Sequence, residues 1–325
     1  MLSHRPLALR LLLGFCLAAL VALPAFALEK EGMPDIGQEE QTCLPTSTAN
    51  LIVWFGLHGY PKLIVAGDGK DDNYAHTVHA LMTAVDATYQ LGTRTEAITY
   101  GIRKYVHNAG YDCDVEYRGV DWSQAKYPDF MKDIDADKYQ SEMKTPVAFT
   151  QDWLQENDKP NKGFILLLAY INFNQSTNTF TDAINAGHAV TLVNAEHDMI
   201  LIHDPAHYED EPGRKILTPV ALTGGTFQLP GFAAPVSGLL LLSGSELEAP
   251  PDAGVMLTGA VCVTMHADRP SADLVASTVG ASGATVGSKG DSSGTPVSTP
   301  STPAGPANSP PSAWTTWIFN LLFKK

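Results

Sequence analysis

The stretch CLPTSTANLIVWFGLHGYP, residues 43 to 61, constrains the fold more than any other part of the chain. Leu51, Ile52, Val53, Trp54, Phe55 and Leu57 make it apolar on nearly every side. A helix with no polar face has to be central and buried. Pro45 suits its first turn, where a missing N–H is no loss, and Thr46, Ser47 and Thr48 add polar first-turn groups. Gly59 and Pro61 end it. The 325 residues, 44% hydrophobic and 17% charged, are enough to wrap such a helix in one large domain or two ordinary ones. Cys43 then stands at the helix N-terminus, where unsatisfied N–H groups and the macrodipole favour negative charge. That setting lowers a thiol pKa and populates the thiolate. Upstream, Gln38 and Gln41 can each bring a side-chain amide near the sulfur, and with the Cys43 N–H such an amide would stabilise an oxyanion. Taken alone, the segment fits a small buried cysteine capping a core helix equally well.

A second stretch, AGHAVTLVNAEHDMILIHDPAHY, carries two β-rich runs, His188 to Asn194 and Met199 to Asp204. The polar turn Ala195-Glu196-His197-Asp198 separates them. A hairpin centred on Glu196 would set His188 directly opposite Asp204, with Cβ atoms roughly 5 Å apart. A carboxylate there holds the imidazole tautomer and stabilises its protonated form. A one-residue slip in register would undo the pairing.

Residues 92 to 118 predict a helix, with Ile98, Ile102 and Tyr105 on one face, a stop at Gly110 and then a strand. A further helix is expected over Lys144 to Glu156 and a buried strand over Gly163 to Asn172. After Asp204, the segments GGTFQLPGF, SGLLLLSG and GVMLTGAVCVTMHA read as added strands that extend the sheet or form a small β subdomain. Helices first and strands later is an α+β order.

The ends read differently. Arg5 and Arg10 lead an apolar run of roughly a dozen residues, and Ala25-Phe26-Ala27 follows as a small-x-small cleavage pattern. Pro24 interrupts the run before the roughly 20 residues of a retained span. The expectation is a signal peptide over 1–27 and an exported chain (periplasmic, secreted or cell-surface), two units more negative than the full-length −14. With 35 acidic against 21 basic residues, an electrostatic nucleic-acid binder is excluded. From Ser271 to Ser312, Ser, Thr, Pro, Gly and Ala fill 33 of 42 positions, a composition unable to bury a core. The domain reading is therefore a globular part over 28–268, a linker over 269–312 and a short apolar tail over 313–325. Trp314, Trp317, Phe319 and Lys324-Lys325 suit that tail either to a membrane interface or to a protein contact.

Beyond the signal segment stand three cysteines, Cys43, Cys113 and Cys262, an odd number for an exported chain. The economical solution is a Cys113–Cys262 disulfide with Cys43 free for chemistry, and three free thiols are the other.

Together these features resemble the papain-like cysteine peptidases. Within them, the chain is most similar to the bacteriocin-processing (double-glycine) peptidases in an exported stand-alone form. The resemblance rests on Gln38 or Gln41, Cys43, Pro45, Gly187-His188 and Asp204-Pro205, and spans roughly Gln38 to His207. It implies a papain-like fold, with a central N-terminal helix packed on an antiparallel sheet and C-terminal β additions. It also implies roles: Cys43 the nucleophile, His188 the general base and acid, Asp204 the residue orienting His188, and Gln38 the oxyanion donor. Peptides or proteins would be the substrates, with no cofactor and no metal. Two positions depart from the pattern. Leu44 stands where the family has Gly, and Gly37 holds the Gln position, with Gln38 one place closer to the cysteine. A non-catalytic peptide-binding domain, or an amidase or acyltransferase, would use the same fold. The GDGKDDN segment lacks the spacing and distal Glu of an EF-hand and reads as a turn. His197, His203 and His207 read as solvent-facing histidines rather than zinc ligands.

Overall fold

The computed structural model describes residues 30–39, 41–88, 92–93, 97–120, 150–174, 176–196, 198–207, 212–229, 232–243, 247 and 253–266. All fall in one compact unit. The expected signal peptide, linker and tail, and the first part of the helix expected from Lys144, lie outside the described residues.

The helices come first. α1 spans Cys43–Leu57, α2 Lys70–Ala84 and α3 Ala97–Asn108, followed by strand β1, Cys113–Gly119. α1 is buried at every position from Leu44 to Gly56, as its all-round apolar sequence requires. α3 and β1 match the segment read as helix, glycine stop and strand, with Gly110 in the left-handed region at φ 86°. The GDGKDDN segment is the start of α2, where Asn73 Oδ1 accepts from Gly67 N and Asp72 Oδ2 from Asp68 N.

A short α4 (Gln151–Glu156) leads into the sheet strands: β2 Lys162–Asn174, β3 Thr179–Glu196, β4 Met199–His203, β5 Arg214–Ala221, β6 Thr226–Leu229, β7 Phe232–Pro235, β8 Leu240–Ser243 and β9 Gly254–Met265. Six of these close on themselves. β2 pairs with β3, β3 with β4, β4 with β5, β5 with β8, β8 with β9 and β9 with β2, every pair antiparallel. The result is a six-stranded barrel. β1 adds to the free stretch of β9 outside it, and the β6–β7 hairpin joins the start of β3 in parallel.

Strand alternation then gives two cores from one wall. Phe164, Leu166, Leu168, Val190, Leu192 and Ile202 point into one cluster that fills the barrel. Ile165, Leu167, Ala189, Val193, Val261 and Val263 alternate with them and pack against α1, α2 and α3 in the other. Gly163 is what lets α1 approach β2 closely, because a methyl there would collide with Leu51.

The segments after Asp204 divide: GGTFQLPGF gives the β6–β7 hairpin beside the barrel, while SGLLLLSG and GVMLTGAVCVTMHA give β8 and β9, staves of the barrel, with β9 closing it. Two expectations need correcting. Cys113 and Cys262 are free thiols. Cys113 lies opposite Met265, three residues along β9 from Cys262, so the two side chains leave the wall on opposite faces. The β3–β4 hairpin also has another register. Its ladder runs Glu196↔Met199 through Asn194↔Leu201, then shifts at a bulge to Leu192↔Ile202 and Thr191↔His203. His188 pairs with Leu168 of β2, not with Asp204.

Candidate active site

α1 meets the barrel midway along β3, and hydrogen bonds hold the two in place. Ser47 Oγ donates to Ala189 O at 2.8 Å, and Thr191 Oγ1 donates back to Ser47 O at 2.7 Å. Both bonds are buried, one helical turn beyond Cys43 and on the strand residues just after His188. They set the helix N-terminus against the histidine.

His188 and Asp204 do meet, by a different route from direct pairing. Extending the Thr191↔His203 register by one residue sets Asp204 opposite Val190, on the diagonal from His188 and on its face of the strand. His188 Nε2 lies 2.7 Å from Asp204 Oδ1, and both side chains are nearly sealed from water. A carboxylate only accepts, so Nε2 carries the proton, which leaves Nδ1 for the Cys43 thiol hydrogen-bonded to His188. Asp204 is itself held on all sides. Its N–H donates to Gly213 O at 2.7 Å, and its Oδ1 accepts from Ala206 N at 2.9 Å. Its Oδ2 lies 3.2 Å from the Lys215 ammonium. Tyr170 stacks over the His188 ring at 6.4 Å.

These contacts decide the charges. Burial pushes the Cys43 thiol up, but the hydrogen bond and charge of His188 and the N–H groups of Ala189 and Leu44 outweigh it and hold the thiol below its ordinary value. Burial alone would lower His188, yet its hydrogen bonds to Asp204 and Cys43, and their charges, raise it to about 9. Burial likewise raises Asp204, while His188, the Ala206 N–H and Lys215 bring it below the usual carboxylate range. All three shifts run in the direction that favours a thiolate–imidazolium pair backed by a carboxylate.

The helix tip supplies donors as well. The first N–H bonded within α1 is that of Thr46, to Thr42 O. Of the three before it, Pro45 has none and Leu44 donates to the sulfur, and the Cys43 N–H has no hydrogen-bond partner among the described residues. The strap from Met33 to Gln38 crosses this end of the molecule. It is fastened by Ile36 N to Asn50 Oδ1, Gly213 N to Asp35 Oδ2 and Gln38 N to Pro205 O, at 3.0, 2.8 and 2.8 Å. His203, read from the sequence as solvent-facing, is buried and holds Pro34 O at 2.9 Å through Nδ1. The strap sets Gln38 beside the Asp204-Pro205 corner, half-buried, with its Oε1 buried and unbonded among the described residues. Gln41 goes elsewhere: it is exposed, in the left-handed region at φ 59°, with its amide oxygen beside Gly92. Leu44 is buried in the helix-side core, away from the cleft its position would otherwise crowd.

Ser47, Thr191, Lys215 and Tyr170 were not found from the sequence. Each reaches the site across a strand or helix boundary, and only the register reveals that. No family model matches the chain, and no curated protein matches it.

Proposed function

We propose that the chain is an exported papain-like cysteine peptidase that hydrolyses peptide bonds through an acyl-enzyme. The observation that carries this reading is the relay Cys43–His188–Asp204, assembled where the N-terminus of a buried helix abuts a barrel. A structural thiol in the same place has no need of an imidazolium, a carboxylate and two N–H donors converging behind it. The resemblance of the Gln, Cys-x-Pro, Gly-His and Asp-Pro elements to the bacteriocin-processing peptidases agrees with that geometry, as does the signal-like N-terminus with export.

In this mechanism the Cys43 sulfur attacks the scissile carbonyl carbon, and the carbonyl π pair moves to oxygen. The Cys43 N–H and the Gln38 amide receive that oxyanion. His188 gives its Nδ1 proton to the leaving amine as the C–N bond breaks, leaving a thioester on Cys43. Neutral His188 then takes a proton from water, hydroxide adds to the thioester, and the tetrahedral intermediate collapses to release the acid and the thiolate. Asp204 keeps its charge throughout and fixes the imidazole's orientation.

The test is the pH profile of iodoacetamide labelling at Cys43, compared with His188→Ala, followed by mass spectrometry for a thioester with a peptide library. Labelling that begins well below the ordinary thiol pKa and is lost in the variant supports the reading. An ordinary thiol pKa, unmoved by the substitution, overturns it.

A further inference from the structure

Between the strap and the first turns of α2 lies a cavity of about 370 Å³, within the size range of small-ligand pockets. Gly37 lines it from the strap and Glu39 from just beyond it, Thr42 from the tip of α1, and Asp71, Tyr74 and Val78 from α2. Its position ties it to the reaction. Thr42 directly precedes Cys43, and Gly37 directly precedes Gln38. The wall therefore begins one residue, about 3.8 Å of chain, from both the nucleophile and the oxyanion donor.

The lining specifies a chemistry. Val78 and Thr42 are buried and Tyr74 half-buried, giving an inner wall on which methylenes can lie. Three carboxylates, Asp35, Glu39 and Asp71, stand against one ammonium, Lys70. Asp35 already receives Gly213 N and faces His207 Nε2 at 3.5 Å. Glu39 and Asp71 are exposed, and no ion pair to either occurs among the described residues. The ring of Tyr74 already carries a cation, with Lys70 Nζ 5.4 Å from its centroid. An acidic side chain would meet two carboxylates with little to neutralise them. An apolar one would fill the floor and leave the rim unused.

We propose that this cavity is the specificity pocket of the enzyme and takes a lysine or arginine side chain of the substrate close to the scissile bond. The long side chain lays its methylenes across Val78 and Tyr74 and brings its charge to Glu39 and Asp71. The proposal rests on the peptidase reading for its role, but the binding it predicts does not depend on chemistry at Cys43.

The test uses the Cys43→Ala variant of the full chain and blocked alanine hexapeptides that carry one Arg, Leu or Glu scanned through each position. Binding is read by fluorescence polarisation. At one position Arg should bind roughly fivefold or more tightly than Glu. That preference should shrink with added salt and fall to under about twofold in Glu39→Gln/Asp71→Asn. Because both side chains are exposed, the double variant should keep the parent's circular dichroism and melting temperature. Equal binding of the three peptides at every position, or an Arg preference untouched by the double variant, overturns the pocket. Labelling of Cys43 in the wild-type chain reports separately on the peptidase reading. An Arg preference with an ordinary thiol leaves a basic-peptide binding domain, and an activated thiol without the preference leaves a peptidase of other specificity.

Discussion

Cys43, at the seam between α1 and the barrel, and Cys113 and Cys262, in the barrel wall, are the same side chain in surroundings that are all largely shut off from water. They go opposite ways. Burial pushes Cys113 up to about 12, with Arg103 offsetting it and Asp112 and Asp114 adding to it. Burial pushes Cys262 up to about 11, with Lys162 and Thr264 offsetting only part. Cys43 suffers the same penalty and ends below its ordinary value, because an imidazolium and two N–H groups converge on it. Desolvation is common to all three sites, so the aimed partners make the difference.

The largest effect expected from this contrast is in labelling rate. At pH 7 a thiol with a pKa of about 11 is thiolate in about one molecule in 10⁴. Native protein treated with iodoacetamide should therefore modify Cys43 at least about a hundredfold faster than either wall cysteine. Peptide mapping that finds Cys113 or Cys262 modified alongside it would break the contrast. Next comes His188→Ala. It removes the hydrogen bond and charge that oppose burial at Cys43, so labelling at pH 6 should drop by roughly tenfold or more. Peptide hydrolysis should drop by about 10² to 10⁴.

Lys215→Met gives a smaller shift, whose sign follows from geometry. Lys215 neutralises part of the Asp204 charge that supports the His188 imidazolium. The other charged groups near that carboxylate are His188 and Cys43, with the Asp35–His207 pair across the strap. Removing the ammonium leaves a fuller negative charge beside His188 and raises its pKa. The alkaline limb of activity, expected near pH 9, should move up by on the order of half a unit, and Lys215→Arg should restore it. A purely structural role for Lys215 would lower the melting temperature and leave that limb in place. The smallest effect expected is none. With Cys113 and Cys262 on opposite faces, dithiothreitol should leave the unfolding midpoint unchanged, whereas a disulfide would contribute about 2–4 kcal/mol.

What could be read from the chain, and what could not, follows from the range of each signal. The all-apolar run from Leu51 to Phe55 announces a buried helix by itself, and Gly110 announces the end of α3, because propensity and periodicity are local. Cys43 at a helix tip and Asp204 near His188 are legible for the same reason: each sits in a short segment with its own start and stop signals. Register is not local. The bulge between Leu192 and Asn194 moves the pairing by one residue and carries no turn residue to betray it. The barrel is hidden for a related reason. Its closing ladder joins segments far apart in sequence, and β9, with nine consecutive buried residues from Val255 to Val263, reads as a buried strand without saying between which neighbours. Gln38 and Gln41 differ only in how the backbone turns at φ 59°, which composition cannot reveal.

The closing stave has a consequence for how the protein comes into being. Lys162 to Ile171 pair with Gly254 to Thr264, partners roughly 80 to 100 residues apart along the chain. Contacts that distant must await a costly loop closure and form slowly. Until β9 docks, β2 and β8 are open edges, and the strand that bears His188 is braced on a sheet not yet curled into its final shape. Synthesis delivers Cys43 early and the residues that finish the barrel some two hundred positions later. A nascent chain therefore carries Cys43 without its finished surroundings through most of its own production, and on the proposed peptidase reading the order of folding would do the work that an inhibitory segment does elsewhere.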